Sequence, residues 1–126
     1  MPAPEDLPLM SMNAVRAKDK AGWLDLFEPD ALVEDPVGGH PYLDPTGLGQ
    51  RGREAIGHFY DTFSATQKSM EYEVHHLVAC ANEAACDVTM RFTMTNGSVS
   101  ETRMINIYKA SPIGKIASLR SFWKQG

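Results

Sequence analysis

The stretch DVTMRFTMTNG, residues 87–97, decides the fold. Val88, Met90, Phe92 and Met94 alternate with Asp87, Thr89, Arg91, Thr93 and Thr95, the period of a strand with one apolar face. Asn96-Gly97 then supplies two residues that tolerate positive φ, so the chain turns tightly and comes back. Residues 99–109 are the returning strand, Ser111-Pro112-Ile113-Gly114 is a second turn, and 115–123 is the last strand. Upstream, Met70, Tyr72, Val74 and Val78 alternate with Glu71, Glu73 and His75 in another strand, and Cys80 and Cys86 flank the turn after it.

The first half has a helical period. Asp6 can cap a helix with Pro8 in its first turn, where a missing N–H costs little. Met10, Ala14 and Ala17 fall on one face of it, widened by Val15. Trp23, Leu24 and Phe27 predict a second, short helix that stops before Pro29. A third opens at Gly52-Arg53-Glu54-Ala55-Ile56, with Ile56, Phe59, Tyr60 and Phe63 on its apolar side. Helices followed by hairpin-linked strands predict one α+β domain over residues 1–126. Its curved antiparallel sheet would pack on the N-terminal helices and close as a cone around a deep apolar pocket. The outer sheet face, with Ile105, Ile107 and Leu77, would be a homodimer surface.

Composition sets the bounds. At 126 residues the chain can bury a core without staples. A net charge of −4 and dispersed basic residues argue against a nucleic-acid partner. No apolar run approaches the roughly 20 residues of a membrane span, and MPAPEDLPLM lacks the basic start of a signal peptide, so the default expectation is cytoplasmic. Cys80 and Cys86 are expected as free thiols in that setting. His75 and His76 are strand neighbours facing opposite sides, His76 shares the parity of Val74 and Val78, and His40 and His58 lack ligand spacing; no metal is expected.

The candidate chemistry lies in VEDPVGG, residues 33–39, where two carboxylates sit between an apolar run and a bend. Asp35 admits two readings: a turn carboxylate that accepts backbone N–H groups, or a base turned inward. Glu34 points the other way along the strand and is expected in solvent. The segments Leu26-Phe27 and Ala31-Leu32-Val33-Glu34-Asp35-Pro36-Val37-Gly38 resemble the surroundings of the catalytic aspartate in bacterial steroid Δ5-isomerases. Gly52, Ala55-Ile56 and Phe59-Tyr60 are similar to the helix that follows there. Ala81-Asn82-Glu83-Ala84-Ala85 and residues 115–123 match in order.

That resemblance implies the cone-shaped NTF2-like fold of the SnoaL-like superfamily and a cofactor-free isomerase with Asp35 as general base. It implies that Trp123, Phe27 and Phe59 wall the base and bind a hydrophobic ligand, a steroid or polycyclic ketone. Apolar walls raise a carboxylate's pKa and its basicity. A dienolate also needs oxyanion donors; ketosteroid isomerases use a tyrosine and a protonated aspartic acid. Here the aspartic acid's place falls on Asn106, and the tyrosine's falls near Ser11, which is too short to reach far. An amide donates N–H without a raised pKa, so Asn106 can serve as donor or can tie down backbone. Tyr60 matches a supporting tyrosine; it either supplies the missing hydroxyl or simply packs on the sheet. The loop from His40 to Arg51 is longer than the family's connection, as a lid or a surface insertion. Other SnoaL-like chemistry (a cyclase, hydrolase or dehydratase) and a non-catalytic binding domain for an apolar small molecule are the alternative functions.

Overall fold

The computed structural model describes residues 1–124. A 3-10 turn at Pro4–Asp6 leads into α1 (Leu7–Arg16), followed by α2 (Lys20–Asp25), β1 (Phe27–Glu34), β2 (Gln50–Arg51) and α3 (Arg53–Ser64). Four strands complete the chain: β3 (Gln67–Cys80), β4 (Glu83–Met94), β5 (Val99–Ala110) and β6 (Ile116–Phe122). They form one curved sheet in the order β2-β1-β6-β5-β4-β3. The helices cover its concave face, as the alternation of residues 70–108 demands. The expected all-antiparallel pairing needs one correction: β1 lies parallel to β6, because β1 is threaded between α2 and α3 ahead of the meander.

Two clusters fill the interior. Leu7, Trp23, Phe27, Val33, Ile56 and Leu119 join the helices to β1 and β6. Met12 of α1 packs on Met70, Val88 and Met104 of β3, β4 and β5. Among the described residues no helix is long and apolar enough to cross a membrane.

Local expectations were overturned at four places. Phe27 opens β1 instead of closing α2, and Pro29 is tolerated because the β1–β6 register shifts between Phe27 and Leu32. In α1 the buried face is Leu7, Ser11 and Met12, whereas Met10 and Ala17 are exposed. Asp6 does not cap α1; its carboxylate accepts the Ala3 N–H and closes the preceding 3-10 turn. A bulge at His75 turns Leu77 inward, leaving His76 and Val78 exposed. His75 Nε2 pairs with Thr89 Oγ1 at 2.7 Å.

Candidate active site

Parallel pairing of β1 and β6 is what assembles the site. With Val33 opposite Leu119 and Glu34 opposite Arg120, both strands leave the sheet at the same end. Asp35 follows directly on β1, and Trp123 follows directly on β6. The Val37 N–H donates to Ser121 O at 2.9 Å, tying the outgoing loop to β6. Trp123 Nε1–H donates to Asp35 Oδ1 at 2.6 Å, a short charge-assisted bond. Asp35 is half-buried, and the desolvation of its carboxyl raises its pKa above the ordinary carboxylate value. The Trp123 bond and then the charge interaction with His40 offset part of that rise. Glu34 is only partly in solvent: its Oε1 accepts from Arg120 Nε at 3.1 Å in a surface pair that covers most of its side chain.

Asp35 faces a cavity of about 380 Å³ between the sheet and α1 and α3, within the range of small-molecule sites. Ser100, Thr102, Met104, Asn106 and Tyr108 form one wall along β5. At about 3.4 Å per residue that wall runs roughly 27 Å. Met12, Met70, Met90 and Met94 add flexible apolar surface, and Phe59 and Trp123 add rings. Asn106 is 2% exposed. The Ser121 hydroxyl donates to its Oδ1 at 2.6 Å. Among the described residues, no acceptor takes up the Asn106 Nδ2 hydrogens, which border the cavity.

The loop from Pro36 to Gly49 is ordered by its own polar groups. His40 and Asp44 exchange backbone hydrogen bonds at 3.0 Å, and Asp44 Oδ2 accepts the Gly49 N–H at 3.0 Å. His40 Nδ1 accepts the N–H groups of Tyr42 and Leu43, which fixes the orientation of the ring. Gly39 and Gly47 meet closely: a Cβ on Gly39 would sit 2.7 Å from Gly47 Cα. His40, Tyr42 and Leu43 thereby reach the cavity, and the His40 ring lies 5.9 Å from that of Trp123. The loop is a wall of the cavity, not a detached surface insertion.

Of the residues singled out in the sequence, Asp35, Asn106, Trp123 and Phe59 share this cavity. Phe27 and Tyr60 do not line it. Phe27 is fully buried behind Trp23, with ring centroids 4.9 Å apart. Tyr60 borders a separate, smaller cavity with Val15 and Arg16, and its phenol feels the charges of Asp19, Asp61 and Lys20. Sequence reasoning missed Tyr108, Ser121 and His40 as cavity groups. Tyr108 had one available signal, its inward parity with Asn106. Among the described residues no three His, Cys, Asp or Glu side chains gather as a metal-ligand set.

The curved α+β sheet with its helices is the fold of a SnoaL-like domain, and this chain belongs to that family, whose match spans residues 10–119. Its relatives include a steroid Delta-isomerase of Nocardioides simplex, 31% identical over 116 residues, covering 91% of this chain and 85% of the relative. Among solved structures, a Delta 5-3-ketosteroid isomerase from Mycobacterium sp. superposes with a TM-score of 0.87 at 29% identity, covering 98% of this chain and 95% of that one. A Mycobacterium tuberculosis protein in complex with estradiol-17beta-hemisuccinate gives a TM-score of 0.86 at 28% identity, with the same coverages.

Proposed function

We propose that this protein is an isomerase of the ketosteroid type, moving a proton α to the carbonyl of a hydrophobic ketone through a dienolate. Asp35 removes the proton from carbon and returns it elsewhere on the same ligand, while Asn106 Nδ2–H donates to the oxygen as it gains charge. The observation that carries this reading is the placement of one half-buried, Trp123-bound carboxylate and one unclaimed amide donor in the same cavity. Burial makes the carboxylate a stronger base than one in water. The length of the β5 wall and its methionine and aromatic lining suit a fused-ring ketone, and two of the relatives are steroid isomerases by name. No cofactor takes part in this scheme.

The decisive test is Asp35→Asn against a β,γ-unsaturated steroid ketone. Turnover should vanish while ligand binding persists, because the amide keeps the shape but cannot accept the proton. Turnover that survives would assign the base wrongly. Asn106→Ala should lower turnover by roughly 10–10³-fold, the scale of one oxyanion donor. A binding-only role is the second reading, favoured by the replacement of the family's acidic oxyanion donor by Asn106; a wild type that binds such ketones and never turns them over would establish it. We further propose a homodimer through the outer sheet face, where Ile105 is 41% exposed opposite Phe122. A cytoplasmic setting completes the proposal.

A further inference from the structure

The scheme above leaves the developing oxyanion with a single donor, and Tyr60, the hydroxyl suggested by sequence, borders a different cavity. Another phenol is present in the right one. Tyr108 is 2% exposed, lies two residues beyond Asn106 on the inner face of β5, and lines the cavity beside it. Same-face neighbours on a strand stand about 7 Å apart at the backbone, and the long tyrosine side chain can span that interval.

The groups around Tyr108 leave its hydroxyl available to the cavity. Trp23 Nε1–H donates to Ser11 Oγ at 3.0 Å in a buried site. An indole N–H can only donate, so Ser11 accepts there and keeps its own hydrogen for another partner. The Tyr108 phenol is the neighbour this hydrogen would serve, above all as the phenol gives up its own proton. When Ser11 donates to the phenol oxygen, the phenol O–H is free for a ligand oxygen in the cavity that Tyr108 lines. Burial also holds the phenol above the ordinary tyrosine pKa, so it stays a neutral donor at pH 7. The charge of Asp35 acts on the same phenol, so base and donor look into one space.

We infer that Tyr108 is the second oxyanion donor of this site, acting beside Asn106 and positioned by the Trp23–Ser11 pair. The helix position that carries a tyrosine in the resembling family holds Ser11 here, and the hydroxyl function has moved across the cavity to β5. Tyr60 contributes at one remove: its ring lies 5.6 Å from that of Trp23 and helps fix the indole that holds Ser11. This inference rests on the isomerase reading, and it also specifies the ligand further. The atom placed between Asn106 and Tyr108 is an oxygen that becomes negative, as in an enolate or a phenolate.

Two readouts separate the inference from the reading beneath it. The first is turnover of a β,γ-unsaturated ketone by Tyr108→Phe, expected to fall by roughly 10–10³-fold in kcat with KM little changed. The second is the absorbance of a bound naphthol, which reports how much of it is ionised without requiring any reaction. Wild type should favour the naphtholate, and Tyr108→Phe should reduce that preference by about tenfold or more. If wild type shows no turnover but the naphtholate preference is lost in Tyr108→Phe, the isomerase reading fails and the donor assignment stands. If the variant retains the wild-type naphtholate fraction, the donor assignment is overturned whatever the turnover. Should Tyr108→Phe fail to fold, 3-fluorotyrosine at position 108 keeps the shape; its fluorine resonance should move when naphtholate binds, and an unmoved resonance would refute the inference. Ser11→Ala should lower kcat less than Tyr108→Phe and shift the naphtholate fraction in the same direction, with Ser11→Thr restoring both; a naphtholate fraction that does not move would leave Ser11 a packing residue only.

Discussion

Replacing Trp123 by phenylalanine tests the base without touching it. The substitution keeps an aromatic wall but deletes the Nε1–H that reaches Asp35 Oδ1 at 2.6 Å. A hydrogen bond to a charged group contributes about 1.5–3 kcal/mol. Here it acts almost entirely on the ionised form, since the protonated carboxyl gains far less from an N–H donor. At about 1.4 kcal/mol per factor of ten, the ionised fraction well below the carboxylate's titration should fall roughly 10- to 150-fold. The direction follows from the physical causes: burial already raises the Asp35 pKa, and the Trp123 bond opposes that rise. Removing the bond therefore raises the pKa further. The acid limb of the kcat/KM profile moves to higher pH, while the plateau above it stays or climbs because the base is stronger. A carbon-13 carboxyl titration of Asp35 in both proteins measures the same shift without substrate. Superimposable titrations would refute the reasoning, because they would mean that the Trp123 bond carries no charge stabilisation.

Other perturbations have separate readouts. Asp35→Asn should raise the melting temperature at pH 7: a folded-state pKa raised by burial contributes stability below the unfolded value and loses it as pH rises through the folded one. The gain should close below the ordinary carboxylate value, near pH 4; an unchanged or lower melting temperature at pH 7 would count against a desolvated carboxylate. Ser11→Ala strands the buried Trp23 N–H and should cost about 1–3 kcal/mol in urea unfolding, whereas an unchanged midpoint would mean that the indole finds another acceptor. Gly49→Ala puts a Cβ 2.7 Å from Val33 O at φ +77 and should cost about 1 kcal/mol or more, and a neutral result would show that the loop shifts freely. Light scattering should give twice the 13.9 kDa chain mass, with Ile105→Asp reverting it to monomer; a monomer mass at every concentration would end the dimer proposal.

What was legible in the sequence followed from periods and punctuation. The β4–β5 hairpin was visible because four inward residues alternate up to Asn96-Gly97, and the structure pairs Thr93 with Val99 around that turn. Asp35 was visible because an apolar run stops at two carboxylates, a proline and two glycines. The misread places share a cause, tertiary pairing that local pattern does not encode. Trp23, Leu24 and Phe27 do have helical spacing, yet Phe27 is claimed by its pairing with Ile116. One extra residue at His75 reverses the inward parity of everything after it in β3. Ser11 reads as a side chain too short to matter until Trp23 is seen to need its oxygen. Tyr108 hid in the opposite way: an aromatic at an inward strand position reads as core, and its hydroxyl gains meaning only from the cavity in front of it.

The parallel joining of β1 to β6 has a consequence for how the protein is made. Asp35 and Trp123 are 88 residues apart in the chain. On a ribosome, β1 emerges long before its principal partner exists. Until β6 is synthesised, its only neighbour in the sheet is the two-residue β2. During that interval Ala31 and Val33 have an open edge beside them, available to any other extended segment in reach. Docking of β6 is a late, long-range closure, the kind that slows folding. A nascent chain arrested before β6 therefore has neither a protected edge nor an assembled base, and holding β1 unpaired until that moment is a task for whatever the young chain meets first.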